Sequence, residues 1–186
     1  GYEGATMREI AARAGTSLGN AYYYFPSKEH LIQAFYYRTH EEHLAACASV
    51  LKEATSFEAR LLGTMRAKLG TVAPYHGFSS ALFKVAASPR SPTNPFSDAS
   101  GPTRAEAIAV FREVVEGSRE RIPRDLADEV PYLLWLYHMG VLLFWIHDGS
   151  PEQARSRILV EQTVPLIARL LKLSGLPGMG GLRKQV

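Results

Sequence analysis

One cysteine, Cys47, stands in 186 residues, so no internal disulfide can form and a reducing, cytoplasmic setting is expected. No His/Asn pattern marks Cys47 as a nucleophile, and it reads as a small core residue on a helix. Excess charge is also scarce. Lys and Arg total 21 against 18 Asp and Glu, a net +3, which leans only weakly towards an anionic partner. Long apolar runs are missing. The longest, "YLLWLYHMGVLLFWIH" at residues 132–147, carries two histidines and is shorter than a membrane span requires, so no membrane association is expected. The first residues hold no basic segment leading into an apolar one, and no signal peptide is expected. Strand-like alternation is absent as well. What remains is a globular composition, 46% hydrophobic and 21% charged, whose runs follow the helical period throughout.

The helix boundaries are written in caps and breakers. "TMREIAARAG" opens on Thr6 with Glu9 three residues on, a capping box, and closes on Gly15. A second helix starts at Ser17 and ends by Phe25, because Pro26 disfavours helical geometry in the residue before it. Ser27 caps a third, running to about residue 52. A fourth follows in "SFEARLLGTMRAKLGTVA" and breaks near Pro74; "YHGFSSALFKVAA" is a fifth. Residues 88–102 hold four prolines and several serines and read as a loop, open to motion. Helix resumes in "TRAEAIAVFREVVEGSRER", with Ala105, Ile108, Phe111 and Val115 on one face. Two long helices, about 126–148 and 152–174, finish the fold, divided by Asp-Gly-Ser-Pro with Pro151 as a first-turn residue. Residues 175–186 are Gly-rich, end basic, and read as a frayed tail.

Two short helices joined by a Gly-containing turn form a helix-turn-helix, whose second helix can lie in a DNA major groove. At about 100° per residue, with Ala21 inward, Ser17, Tyr24 and Phe25 turn towards the core and Leu18 lies at its edge. Gly19 and Tyr23 turn out, flanked by Asn20 and Tyr22. Tyr24 is then an anchor, while the Tyr22 and Tyr23 hydroxyls suit phosphate oxygens. Gly19 admits close backbone approach. Asn20 offers a donor and an acceptor to an adenine edge, and Leu18 suits either a thymine methyl or the core. Thr6 caps its helix and can donate to a phosphate there, and Arg8 and Lys28 add positive charge. Residues 1–40 set Arg8, Arg13, Lys28 and Arg38 against Glu3, Glu9 and Glu29, a weak footprint for a DNA binder. An aromatic helical core that binds no nucleic acid fits the same pattern.

The stretch "GYEGATMREIAARAGTSLGNAYYYFPSKEHLI" resembles the DNA-binding region of the TetR (tetracycline-repressor-like) family of bacterial transcriptional regulators. The matching positions are Gly1-Tyr2, Ala5-Thr6, Ile10-Ala11, Ala14-Gly15, Tyr22, Tyr24-Phe25, Ser27-Lys28 and Leu31. The resemblance implies that Thr6 and Arg8 contact backbone or nearby bases, that Ser17, Leu18, Gly19 and Asn20 read the groove, and that Tyr22, Tyr23 and Lys28 touch phosphates. It also implies an all-α fold: a helix-turn-helix domain over 1–45, including the start of a connecting helix, then a ligand-binding and dimerisation domain over 46–175 and a flexible tail over 176–186. Such proteins carry a further helix ahead of the Gly-Tyr segment, which would precede Gly1. Leu18 departs from the polar residues common at its position. The implied partners are a double-stranded DNA operator, a small-molecule effector, and a second copy meeting the last two helices. The implied mechanism is release from the operator when the effector shifts the helix that starts at Ser27.

For the effector pocket the candidates are Phe78, Phe83, Phe111, Trp135, His138 and Trp145. Trp135 and His138 lead, each pairing an apolar body with a hydrogen-bonding edge. Competing chemistry is weakly marked, and no metal or cofactor is expected. The histidines of "HEEH", His40 and His43, are three apart, not the four of a zinc-protease motif, and read as a solvated helix face. Ser49-x-x-Lys52 lacks companion motifs, and "GFSSA" misses a nucleophile elbow by its last residue. A helical enzyme and a protein-interaction module are the alternatives to a regulator.

Overall fold

The computed structural model describes residues 4–120 and 122–174; the tail expected over 176–186 lies outside them. The fold is all-α, with no strand among the described residues. Helix α1 (Met7–Arg13) opens on the expected capping box. Thr6 Oγ1 accepts from Glu9 N at 3.2 Å, and Thr6 N donates to the Glu9 carboxylate at 2.8 Å. Gly15, at φ 67°, turns the chain in the left-handed region that glycine tolerates. Ser17 caps α2 (Leu18–Tyr24) by accepting from Asn20 N at 3.1 Å. Ser27 precedes α3 (Lys28–Glu53), but its hydroxyl pairs with His30 Nδ1 at 2.9 Å rather than with the helix backbone.

α4 (Phe57–Val72) is the centre of the larger body. Phe57, Leu61, Met65 and Leu69 repeat every four residues and are all buried, so one stripe meets the core. α4 packs on α3, on α6 (Gly101–Glu116) and on α9 (Ala154–Ser174). A 3-10 turn carrying Pro74 leads into α5 (His76–Ala86). α8 (Val130–Ile146) covers α6 and α9 with Val130, Leu134, Trp135, Val141 and Trp145. Leu61, Val114, Val160 and Val164 are wholly buried at the junction of α4, α6 and α9; truncating Leu61 to Ala there should cost about 2–5 kcal/mol.

Two boundaries and one helix face differ from the sequence reading. The helix expected over 126–148 is split into α7 (Arg124–Ala127) and α8, because Pro131 belongs to the first turn of a new helix. The helix expected from 152 begins at Ala154, after a turn in which Glu152 and Gln153 have positive φ. Ala105, expected on the apolar face of α6, is exposed, while Phe111 and Val115 are buried as expected, together with Val110 and Val114. The 88–100 segment is a loop as expected, tied by its own polar groups. Asn94 Nδ2 donates to Ser88 O at 3.1 Å, and Arg104 donates to Pro95 O at 2.7 Å and Ser97 O at 3.1 Å.

Two buried ionic devices fix the body. The Arg60 guanidinium donates to Val114 O (3.2 Å), Glu113 O (2.7 Å), Ala54 O (2.8 Å) and Leu51 O. A cation therefore sits at the C-terminal ends of both α3 and α6, where carbonyls lack intrahelical partners. Between α8 and α9, Asp148 accepts from Ser150 N and Oγ (3.0 and 2.6 Å) and from Ser156 N and Oγ (2.8 and 2.7 Å).

Candidate nucleic-acid interface

The N-terminal helices expose the side chains that a groove reader needs. Tyr22, Tyr23 and Asn20 stand out from α2, and Gly19 leaves open space with nothing within 4 Å of the position a Cβ would occupy. Arg8 is exposed on α1, and Lys28 is half-buried at the start of α3. Two of the expected contacts begin from engaged groups. Asn20 Nδ2 donates to Thr16 Oγ1 at 2.8 Å; the amide keeps a second N–H and its carbonyl, the pair that bidentate reading of adenine uses. The Thr6 hydroxyl donates to Glu9 Oε2 at 3.0 Å. The backbone and hydroxyl hydrogen bonds from Thr6 hold the Glu9 carboxyl below its ordinary range, ionised beside the helix start.

The inward assignment of Tyr24 is corrected. It is 64% exposed, its ring edge-on to Tyr23 at 5.0 Å, and Ser17 is exposed too. The half-buried stripe of α2 is Leu18, Ala21 and Phe25. Its centre lies about 30° round from Ala21, on the Leu18 side. That rotation turns Tyr24 out and leaves Tyr23 as the most outward ring. The cause is packing: α2 lies chiefly against α1, and a single neighbour covers only a narrow strip.

The six pocket candidates are not gathered at one point. Phe111 and His138 are both buried, ring centroids 5.6 Å apart. Trp135 turns to Phe96 and Tyr132. Trp145 meets His76, which donates Nε2–H to Trp145 O at 2.9 Å. Phe83 lies against His147, and Phe78 is exposed beside Phe35.

The sequence reading missed the groups that surround His138. His40 and His43 are not on a solvated face; both are buried, at 5% and 4% exposure. With Cys47 four residues beyond His43, the three lie on the side of α3 that faces α4. Their polar character masked this inward stripe. His43 Nε2 lies 3.2 Å from Thr64 O; since a carbonyl only accepts, Nε2 carries the proton. The His43 and His138 rings are parallel within 3° at 6.2 Å. Cys47 is a buried core thiol, as expected, and burial pushes it up to about 11. Burial, with Lys68 near, pushes His43 down to about 4 and His138 well below its ordinary value, and lowers His40 in the same way.

An exposed, capped second helix beside a long connecting helix defines a helix-turn-helix protein. Residues 1–35 match the family model for bacterial regulatory proteins of the tetR family. Residues 60–184, more than half the chain, match the tetracyclin repressor-like C-terminal domain. No curated protein matches. The chain belongs to the TetR family and is a DNA-binding transcriptional regulator. No described helix is long and apolar enough to cross a membrane.

Proposed function

We propose that the protein is a cytoplasmic, homodimeric, non-enzymatic repressor that leaves its operator when a small molecule enters the larger helical body. Ser17 to Asn20 read the groove, with Leu18 contributing only the edge of a half-buried side chain. Tyr22, Tyr23, Lys28, Thr6 and Arg8 hold phosphates. The observation that carries the reading is α3. It is one unbroken helix of 26 residues, about 39 Å long, with Lys28 at the reading end and His40, His43 and Cys47 in the core of the body. A ligand that displaces the core side chains moves the same rigid element that α2 joins through residues 25–27. Such coupling needs only about 1–3 kcal/mol of differential affinity.

Dimerisation is supported by apolar surface on α8 and α9. Leu133, Leu143 and Phe144 on one, and Ile158, Leu166 and Leu170 on the other, are exposed. Selection from random duplex DNA by the full-length protein, with salt titration, tests the reading. One palindromic sequence should emerge, its affinity falling with salt as phosphate contacts require. Enrichment of no sequence, or a flat salt dependence, would overturn it.

A further inference from the structure

The buried polar cluster between α3, α4, α6 and α8 carries more than packing requires. His138, 5% exposed, has both ring nitrogens without a hydrogen-bond partner, and the wholly buried Thr64 hydroxyl has only the weak Cys47 thiol beside it. An unsatisfied buried polar atom costs about 1–3 kcal/mol, and native folds seldom leave several together. One turn beyond Thr64, Lys68 is half-buried, and no described acid pairs with it. The nearest carboxylate of the cluster, Glu106, lies 3.3 Å from His40 Nε2, close enough for an ion pair but not aligned for a hydrogen bond; its side chain is 55% exposed, at the rim. The cluster therefore sets one half-buried positive charge beside two idle donors (Thr64 O–H and His138 N–H) and aromatic walls from His43, His138 and Phe111.

We infer that this cluster is a binding site for a small organic carboxylate, held by Lys68, Thr64 and His138. The inference rests on the ligand-responsive reading above and names the chemical class of the ligand. A carboxylate supplies the single negative charge that Lys68 lacks and accepts from both idle donors. A metal ion does not suit the site. Lys68 repels it, and no three described His, Cys, Asp or Glu side chains are placed to share one. A neutral ligand would leave the ammonium uncompensated. Binding also has a protonation signature. Burial pulls Lys68 down to about 8, and an anion beside it favours the charged form. The groups facing it are His40, His43 and Cys47 on α3, His138 on α8 and Glu106 at the α6 rim. Of these only Lys68 changes charge near pH 8.5, so carboxylate binding there takes up protons.

The test uses the full-length chain with acetate, hexanoate and benzoate, each against its neutral amide, at constant ionic strength set with chloride. Thermal stabilisation and titration calorimetry report binding. At least one carboxylate should bind ten times more tightly than its amide, with proton uptake at pH 8.5 seen as a buffer-dependent heat. Lys68→Met should lose at least tenfold in affinity, and Lys68→Arg should stay within a few-fold of wild type. If a variant fails to fold, the amide comparison and the proton uptake in the unaltered protein still decide. Equal binding of acids and amides, or binding unchanged in Lys68→Met, overturns the inference. Operator release by a neutral compound that Lys68→Met still binds overturns it while leaving the ligand-responsive reading intact. Carboxylate binding at Lys68 with no effect on operator affinity upholds the site and sinks that reading instead.

Discussion

Single residues here carry roles out of proportion to their exposure. Arg60 is the plainest case, since its one guanidinium serves the carbonyl ends of two helices. Arg60→Leu should cost at least about 3 kcal/mol, because it leaves three buried or half-buried carbonyls without donors, Glu113 O keeping the Gly117 N–H, and the loss should appear as a fall in urea midpoint. On α2 the exposures divide the tyrosines differently. Tyr24→Ala should change stability by less than about 0.5 kcal/mol, since its ring lies mostly in water. Tyr23→Phe should weaken operator binding severalfold with an unchanged melting curve, read by band shift and circular dichroism. The caps at Thr6 and Ser17 were legible because they follow from side-chain chemistry a few residues away. The burial of His40 and His43 was not, since it depends on which side of α3 receives α4, a choice made by residues far along the chain.

Elements are held together by close approach at a few small residues. A methyl group on Gly63 of α4 would run into Val50 of α3. Gly63→Ala should therefore destabilise by about 1–3 kcal/mol through overpacking, although alanine is the better helix former by about 1 kcal/mol. Val50→Ala in the same chain should recover much of the loss in thermal melts. Gly140 on α8 differs, having nothing within 4 Å of a Cβ position among the described residues. With Leu166→Glu plus Leu170→Glu on exposed α9 positions, the dimer should dissociate at least a hundredfold more readily by sedimentation, while the helical signal is retained. Helix existence was readable from period and breakers. The split at α7 and the turn at Glu152 were not, because periodicity runs on across a short turn.

The whole molecule should be acid-sensitive. His43 is pushed from 6.5 to about 4, and His138 and His40 are also lowered, first by burial. Their unfolded forms take up protons that the folded forms refuse. Stability is then complete above about pH 6.5 and falls as pH drops towards 4, by up to about 1.4 kcal/mol per pH unit for each histidine. Below that range Asp148 adds its share. Burial alone would raise it, but hydrogen bonds from Ser150 and Ser156 outweigh that and hold it well below the usual carboxylate range. Its contribution is present above the unfolded value of 3.8 and lost as pH falls further. Lys68 acts in the same sense at higher pH: its burial penalty is full below about 8 and eases as pH rises towards 10.5. Denaturant melts from pH 8 to pH 4 should steepen in loss below 6.5, and His43→Phe should flatten that slope.

Arg60 grips the carbonyls at Leu51 and Ala54, at the far end of α3 from Lys28. That end is a fulcrum. His43 lies about 12 Å along the helix from Leu51 and Lys28 about 35 Å, so a tilt about the clamp is magnified roughly threefold between them. A displacement of about 1 Å at the histidines would swing the reading end by about 3 Å. On the proposed dimeric, ligand-responsive reading, the two reading ends must match half-sites a helical turn apart and both would swing, so that α3 would work as a lever with a fixed pivot and a small push would be enough to spoil the match.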